Sequence, residues 1–238
     1  MLNEKDVAAF ERQRIQAEYS RRERKIPRDL YAPWQPAELF VRSGRKFQAA
    51  KMLHQAGAFP KQNELCLEVG CGSQGWLGDL ITWGVCETAL HGIELDPNLV
   101  GKARTVLPAA DLRVGDATEL PWDNNTFRLV IASTVFTSIL DTRVRQMVAD
   151  EITRVLAPGG ALLWYDFAVN NPRNRHVRKV TRKELKELFP RLDGRIESVT
   201  LAPALARFAA PKSLLLATIL EAIPLFRTHL LSLLVKNP

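Results

Sequence analysis

The sequence predicts an α/β protein built on a mostly parallel sheet, and three observations carry that prediction. Residues 65–80 pass from a short apolar run, Leu65-Cys66-Leu67-Glu68-Val69, through Gly70, Gly72 and Gly75 into resumed apolar spacing at Leu77 and Leu80. This is the pattern of a buried strand, a tight loop and a helix, in which backbone N–H groups approach a ligand closely. Residues 127–133 (Phe-Arg-Leu-Val-Ile-Ala-Ser) are nearly continuous in apolar side chains, as expected of a central strand covered on both faces. Acids stand just past two further strand-like runs, at Glu94 and Asp116, on the edge where open parallel sheets gather their ligands.

Composition bounds the function class. A chain of 238 residues suits one large domain, or a domain with an extension. Its 46% hydrophobic and 25% charged content is that of a soluble globular protein. Cys66, Cys71 and Cys86 show no zinc-type pairing and no disulfide framework, which points to a reducing, cytoplasmic location. The opening Met-Leu-Asn-Glu-Lys-Asp lacks an apolar core of signal-peptide length. No uninterrupted apolar run reaches about 20 residues, so no spanning helix is expected. A net charge of +7 favours anionic partners such as nucleotide-linked sugars, nucleic acid or an anionic membrane surface, and selects none of them.

The elements follow in order. Residues 3–25, charged apart from scattered positions such as Val7, Phe10, Ile15 and Tyr19, predict a solvated helix ending in the basic run Arg21, Arg22, Arg24, Lys25. The functional alternative is a lid or an anion contact. Pro27, Pro33 and Pro36 break 27–36 into an extended loop, where Tyr31 and Trp34 would pin the loop to the core or line a substrate pocket. Residues 37–57 read as a helix with Gly57 as its stop. The chain therefore divides into a helical N-terminal extension, 1–61, and a main domain, 62–238. The first strand is expected at 64–69 and its helix at 75–84. The second, 88–93, ends in Glu94-Leu95-Asp96-Pro97, where Asp96 suits an N-cap and Pro97 the first helical position. A third, 111–114, ends in Gly115-Asp116-Ala117, and a fourth occupies 127–133. The loop 167–180 is dense in donors: Asn170, Asn171, Arg173, Asn174, Arg175 and His176. It reads either as a solvated turn or as recognition of a hydroxylated or anionic substrate. Thr181-x-x-Glu184 is a capping box opening a helix to Phe189. Residues 194–201 alternate as a strand, and 211–223 form an apolar helix. The Leu-rich tail at 228–236 suits a buried strand, with a helical run or a membrane contact as alternatives.

Motif by motif, this order resembles the class I S-adenosylmethionine (SAM)-dependent methyltransferases, in particular the small-molecule, type 11-like group. Glu68-Val-Gly-Cys-Gly72 resembles the family's first motif. Gly115-Asp-Ala-x-x-Leu-Pro-Trp122 with Phe127-x-Leu-Val130 looks like its adenine-binding motif and fourth strand. Glu151-Ile-x-Arg-Val-Leu-x-Pro-Gly-Gly-x-Leu-Leu-Trp-Tyr-Asp166 looks like its helix, Pro-Gly-Gly turn and fifth strand. The resemblance implies a Rossmann-like, seven-stranded, mostly parallel sheet with one antiparallel strand, helices on both faces and a helical N-terminal extension covering the substrate side. It also implies SAM as cofactor. Glu68 and the backbone of Gly70, Cys71 and Gly72 would hold the methionine part; Glu94, next to Leu95, would hold the ribose. Asp116 and Ala117 would hold the adenine, and Ser133 would run beside the cofactor.

SAM carries an activated methyl, so the protein's work is to align an acceptor and exclude water. A small-molecule or saccharide acceptor, methylated on oxygen or nitrogen, is expected. A hydroxyl acceptor wants a general base, for which Asp166, His176 and Asp141 are candidates. The histidines that many small-molecule members carry after the fourth strand are replaced here by Thr134-Val-Phe-Thr-Ser138. The Asn/Asp-Pro-Pro-Tyr signature of nucleobase-amine methylation is lacking there too. Two rivals stay open: a nicotinamide dehydrogenase using the same glycine fingerprint, and a non-catalytic or RNA-directed version using the basic segments.

Overall fold

The computed structural model describes residues 3–25, 27–73, 75–172 and 174–237, the side chains of Glu23 and Arg28 excepted. Among them, the strands are β1 (Cys66–Val69), β2 (Leu90–Glu94), β3 (Asp111–Val114), β4 (Phe127–Ser133), β5 (Leu156–Phe167), β6 (Leu192–Leu201) and β7 (Arg227–Lys236). They form one sheet in the order β3-β2-β1-β4-β5-β7-β6. β1 pairs in parallel with β2 and β4, with Cys66 opposite both Leu90 and Leu129. β7 alone runs against its neighbours, antiparallel to β5 and β6. The expected doubly wound sheet with one reversed strand is therefore present.

Strand side chains alternate between two faces, and each face has its own core. Leu67, Val69, Val130, Ala132, Leu162 and Trp164 pack with α5 (Thr142–Val155) and α6 (Arg182–Leu188). Cys66, Leu129, Ile131, Leu163 and Tyr165 pack with α2 (Pro36–Gln55), α3 (Leu77–Thr82) and α4 (Pro97–Val106). A small third core joins α2 to α7 (Pro203–Ala209) and α8 (Leu214–Ala222). Local signals set several boundaries as expected. Asp96 accepts the Asn98 N–H at 2.8 Å with Pro97 as the first residue of α4, and Thr181 accepts the Glu184 N–H at 3.1 Å to open α6. The Leu-rich tail is β7, with Leu230, Leu231, Leu233 and Leu234 buried in the sheet.

Other segments differ from the sequence reading. The helix expected at 75–84 is shorter, because Gly84 takes a φ of +97° and ends the turn. α7 had no clear signal. Tyr31 and Trp34 are exposed and neither pin the loop nor reach the pocket. The largest difference is α1 (Glu4–Lys25). It is helical, but Val7, Ala8, Glu11, Ile15 and Glu18 are buried, so it is docked rather than solvated. Glu11 and Glu18 enter that buried stripe paired with Arg14 and Arg21, three residues on.

Candidate active site

The sheet order reverses between β1 and β4, and there, at the carboxyl ends of β1 to β4, lies a pocket enclosing about 710 Å³, open mouth included. Its floor is Val69 and Gly70 after β1, Glu94 and Leu95 after β2, Gly115, Asp116 and Ala117 after β3, and Ser133 to Val135 after β4. Its roof is α1, which contributes Ala8, Glu11, Arg12, Ile15 and Tyr19. Val144 and Val148 of α5 close the remaining side.

The floor follows from local backbone chemistry. Gly70 sits at φ +71°, and a Cβ there would lie 2.8 Å from Val135 Cγ2, so glycine is required for the chain to pass. Glu94 Oε1 accepts the N–H groups of Leu95 (2.7 Å) and Asp96 (3.2 Å), and Oε2 accepts that of Gly72 (3.1 Å). These bonds orient the carboxylate and join the glycine loop to β2. Burial nevertheless raises the Glu94 pKa above its ordinary value, the backbone donors opposing. A carboxylate offers about four acceptor sites; the N–H groups take two on Oε1 and one on Oε2, which leaves Oε2 open to a hydroxyl donor of a ligand. Asp116 Oδ1 accepts the Thr118 N–H at 2.9 Å, while Oδ2 meets Arg12 Nη1 of α1 at 3.3 Å.

The sequence-derived candidates divide into two groups. Gly70, Glu94, Leu95, Asp116, Ala117 and Ser133 are brought together on the pocket wall. Gly72 supports it through its N–H to Glu94. Cys71 is buried behind the loop, its Sγ against Gly92, and burial pushes its thiol pKa well up. Glu68 also lies behind the loop. Its Oε2 accepts the N–H groups of Trp76 (2.7 Å) and Leu77 (3.2 Å), so it caps the start of α3. A Cβ on Gly75 would collide with that carboxylate, which explains the third glycine of the fingerprint.

Among the candidate bases, Asp166 is fully buried and off the pocket wall. Its two oxygens accept the N–H groups of Thr137 and Phe167, each at 2.9 Å, and burial lifts its pKa to about 7. Asp141 is the N-cap of α5, accepting the Arg143 N–H at 2.8 Å and pairing with the Arg143 guanidinium. His176 lies 3.6 Å from Glu18 beside a smaller cavity of about 210 Å³, which shares Ile15, Tyr19 and Ser138 with the main pocket. Arg173 lies outside the described residues.

Sequence reasoning expected the N-terminal extension over the substrate side but did not single out the residues that face the pocket, and it missed one cation. Ala8, Arg12, Ile15 and Tyr19 recur at 4-3-4 spacing, one helix face, and that period was the available signal. Burial and the nearby Glu94 charge raise the Tyr19 phenol above its ordinary pKa. Arg45 of α2 stacks 4.5 Å from the Trp76 ring and 5.0 Å from that of Tyr165, yet has no hydrogen bond or ion pair among the described residues. Burial lowers its pKa. No group of His, Cys, Asp and Glu among the described residues could hold a metal.

Comparison with known proteins agrees with this geometry. A family model described as a methyltransferase domain matches residues 66–160. Norajmaline N-methyltransferase of Rauvolfia serpentina is 27% identical over 175 residues, 67% of this chain and 58% of that protein. Phthiotriol/phenolphthiotriol dimycocerosates methyltransferase of Mycobacterium leprae (strain TN) is 33% identical over 107 residues, 44% of this chain and 38% of that protein. The chain thus spans between about two fifths and three fifths of these curated relatives. Among solved structures, geranyl diphosphate C-methyltransferase of Streptomyces coelicolor A3(2) superposes with a TM-score of 0.59 at 14% identity, covering 80% of this chain and 76% of that one. That enzyme was crystallised with S-adenosyl-L-homocysteine. A SAM-dependent methyltransferase of Methanosarcina mazei gives 0.56 at 16% identity, covering 76% and 96%. The two structures share the fold. A methyltransferase-domain match over residues 66–160, these relatives and the shared fold together support a class I SAM-dependent methyltransferase.

Proposed function

We propose that the protein transfers the methyl group of SAM to a small-molecule acceptor. The observation that carries this reading is the convergence of Glu94 and Asp116, from two strand ends, on one pocket beside the glycine loop. In this reading Glu94 accepts a ribose hydroxyl through a charge-assisted bond at Oε2. Asp116 accepts the exocyclic amine of adenine, with Leu95 and Ala117 against the ring. The backbone of Gly70 to Gly72 and Ser133 flank the methionine part. SAM, when bound, supplies the activated methyl.

The acceptor enters on the side of Tyr19, Ser138 and His176, where the two cavities adjoin. Ile15 and Ile139 give that side an apolar surface that excludes water. In this reading His176, which lines the smaller cavity with nearly half of its side chain exposed, is the base that receives the proton of an acceptor hydroxyl. Asp166 acts as a positioning residue, holding the turn at 136–138 through Thr137. The curated relatives named for norajmaline and for phthiotriol/phenolphthiotriol dimycocerosates support a small-molecule acceptor over a saccharide.

Two measurements test the reading. Calorimetric titration should show that Glu94→Ala and Asp116→Ala each weaken SAM binding by about 1–3 kcal/mol, the scale of lost charge-assisted bonds. Wild-type affinity in both variants would remove the assignment. SAM, not NAD, should raise the melting temperature, and S-adenosylhomocysteine should accumulate with at least one member of a panel of alkaloid, phenolic, isoprenoid and saccharide acceptors. Stabilisation by NAD alone would return the pocket to the dehydrogenases.

A further inference from the structure

The helical hairpin between β6 and β7 is built inside out. Towards the rest of the molecule α7 and α8 bury alanines: Ala206, Ala209, Ala210 and Ala217. Towards solvent they turn their largest apolar side chains, Phe208, Leu214, Leu215, Ile219, Ile223 and Leu225, with Leu215 exposed to 70% and Leu225 to 86%. An amphipathic helix packed only to complete a core would do the reverse. Large exposed apolar patches mark surfaces that meet something else.

The charges around the patch indicate what it meets. Between Ser198 and Arg227 the only acid is Glu221, whose carboxylate accepts the Leu201 N–H at 3.0 Å. Arg207 and Lys212 are both exposed, and Lys212 Nζ lies 3.6 Å from the centre of the Phe208 ring. The hairpin is therefore apolar with a cationic rim and no free acid of its own. A second copy of the hairpin would bring the same cations against themselves with no free carboxylate of its own to receive them. Shape argues in the same direction. At about 100° per residue, the exposed apolar side chains of α8 spread over roughly 200° of its circumference. A protein partner would have to wrap that arc, whereas a fluid acyl layer conforms to it.

We propose that the α7–α8 hairpin is a membrane-docking surface that inserts its Leu/Ile tip into a bilayer of anionic lipid, Arg207 and Lys212 contacting the headgroups. Insertion is shallow: no helix among the described residues is long and apolar enough to cross a membrane. β6 runs parallel to β4 and β5, so the hairpin leaves the sheet from the same edge that carries the pocket. The inference stands on this surface alone and does not depend on the methyl-transfer reading.

Co-sedimentation of the full chain with unilamellar vesicles tests it. Vesicles of equal parts phosphatidylglycerol and phosphatidylcholine should bind at least about tenfold more tightly than pure phosphatidylcholine, with the difference shrinking in high salt. Leu215→Asp with Ile219→Asp should weaken binding to the anionic vesicles at least about tenfold with the melting temperature nearly unchanged, since both side chains are already in water. Arg207→Glu with Lys212→Glu should abolish the preference for phosphatidylglycerol and leave the fold untouched. Failure of the wild type to pellet with the anionic vesicles would overturn the proposal, as would equal binding by either double variant. Sedimentation velocity showing a dimer that Leu215→Asp/Ile219→Asp dissociates would assign the patch to a second copy instead.

Discussion

The carboxyl of Glu68 stands two residues before Gly70, where the sequence places an acid of the cofactor motif, but its oxygens turn under the loop to Trp76 and Leu77. That position is legible in the sequence; the direction is not. Alternation along β1 sends Glu68 to the same face as Cys66, and only the fold shows that α3 begins there. Burial raises the Glu68 pKa from 4.5 to about 8, although two backbone N–H groups oppose the shift. A carboxyl raised in the native state is protonated there while still ionised in the unfolded chain. Its contribution to stability is complete below pH 4.5 and is lost as pH rises towards 8. Glu68→Gln keeps an acceptor for α3 and cannot ionise. In urea titrations its stability relative to wild type should therefore climb with pH across this window, by up to about 1.4 kcal/mol per pH unit. Asp166, lifted to about 7, and His229, lowered to about 3, titrate in both proteins and cancel from the comparison. A difference that stays flat would mean that Glu68 is ionised throughout.

Legibility changes from element to element for a physical reason. β1 and β4 announce themselves because both of their faces are buried and every residue must be apolar or capped. α1 does not, because two of its buried positions are acids whose charge is met by arginines on the same helix. A composition that reads as solvated thus conceals a docked face, and with it the Arg12 and Tyr19 side of the pocket. The same arrangement says how α1 is held. Glu11 receives the Leu140 N–H as well as Arg14, and Arg14 reaches the Ser138 carbonyl. Burial raises the Glu11 pKa, but Arg14 and the Leu140 N–H together hold it below its ordinary value. Glu11→Ala leaves Leu140 N–H and Arg14 unpaired, at about 1–3 kcal/mol. The loss falls on docking, since α1 takes no part in the backbone pairing of the sheet. Trypsin should cut within residues 12–25 roughly 5- to 100-fold faster, while the urea midpoint of the remaining domain barely moves. Equal cleavage rates in wild type and variant would show α1 to be held by its apolar contacts instead.

Across the whole molecule, the two sides of the pocket are held by different means. On the cofactor side the strands and the glycine loop fix the geometry through backbone bonds, and motif spacing exposes this in the sequence. On the side proposed for the acceptor the wall is irregular: the turn at 136–138, the start of α5 and the loop 168–180. Contacts far apart in sequence hold it, and no local pattern reveals them. Arg145 is their hub. It is fully buried and donates to the carbonyls of Ile139 (2.8 Å), Arg178 (2.8 Å) and Lys179 (3.3 Å) and to Glu184 Oε1 (2.6 Å). Arg178 returns its N–H to the Thr137 carbonyl at 2.9 Å, and Thr137 in turn donates to Asp166. One guanidinium thereby ties α5, α6 and the loop after β5 into a single wall. Arg145→Met keeps the volume and removes every one of these bonds, leaving three carbonyls without that donor. Breaking a buried charge of this kind costs about 3–5 kcal/mol, which urea unfolding would register as a large fall in midpoint. Below that midpoint the cofactor side stays assembled, so SAM affinity should change less than the KM for an acceptor. A variant as stable as the wild type, or one losing SAM and acceptor in equal measure, would show that the two walls do not depend on separate supports.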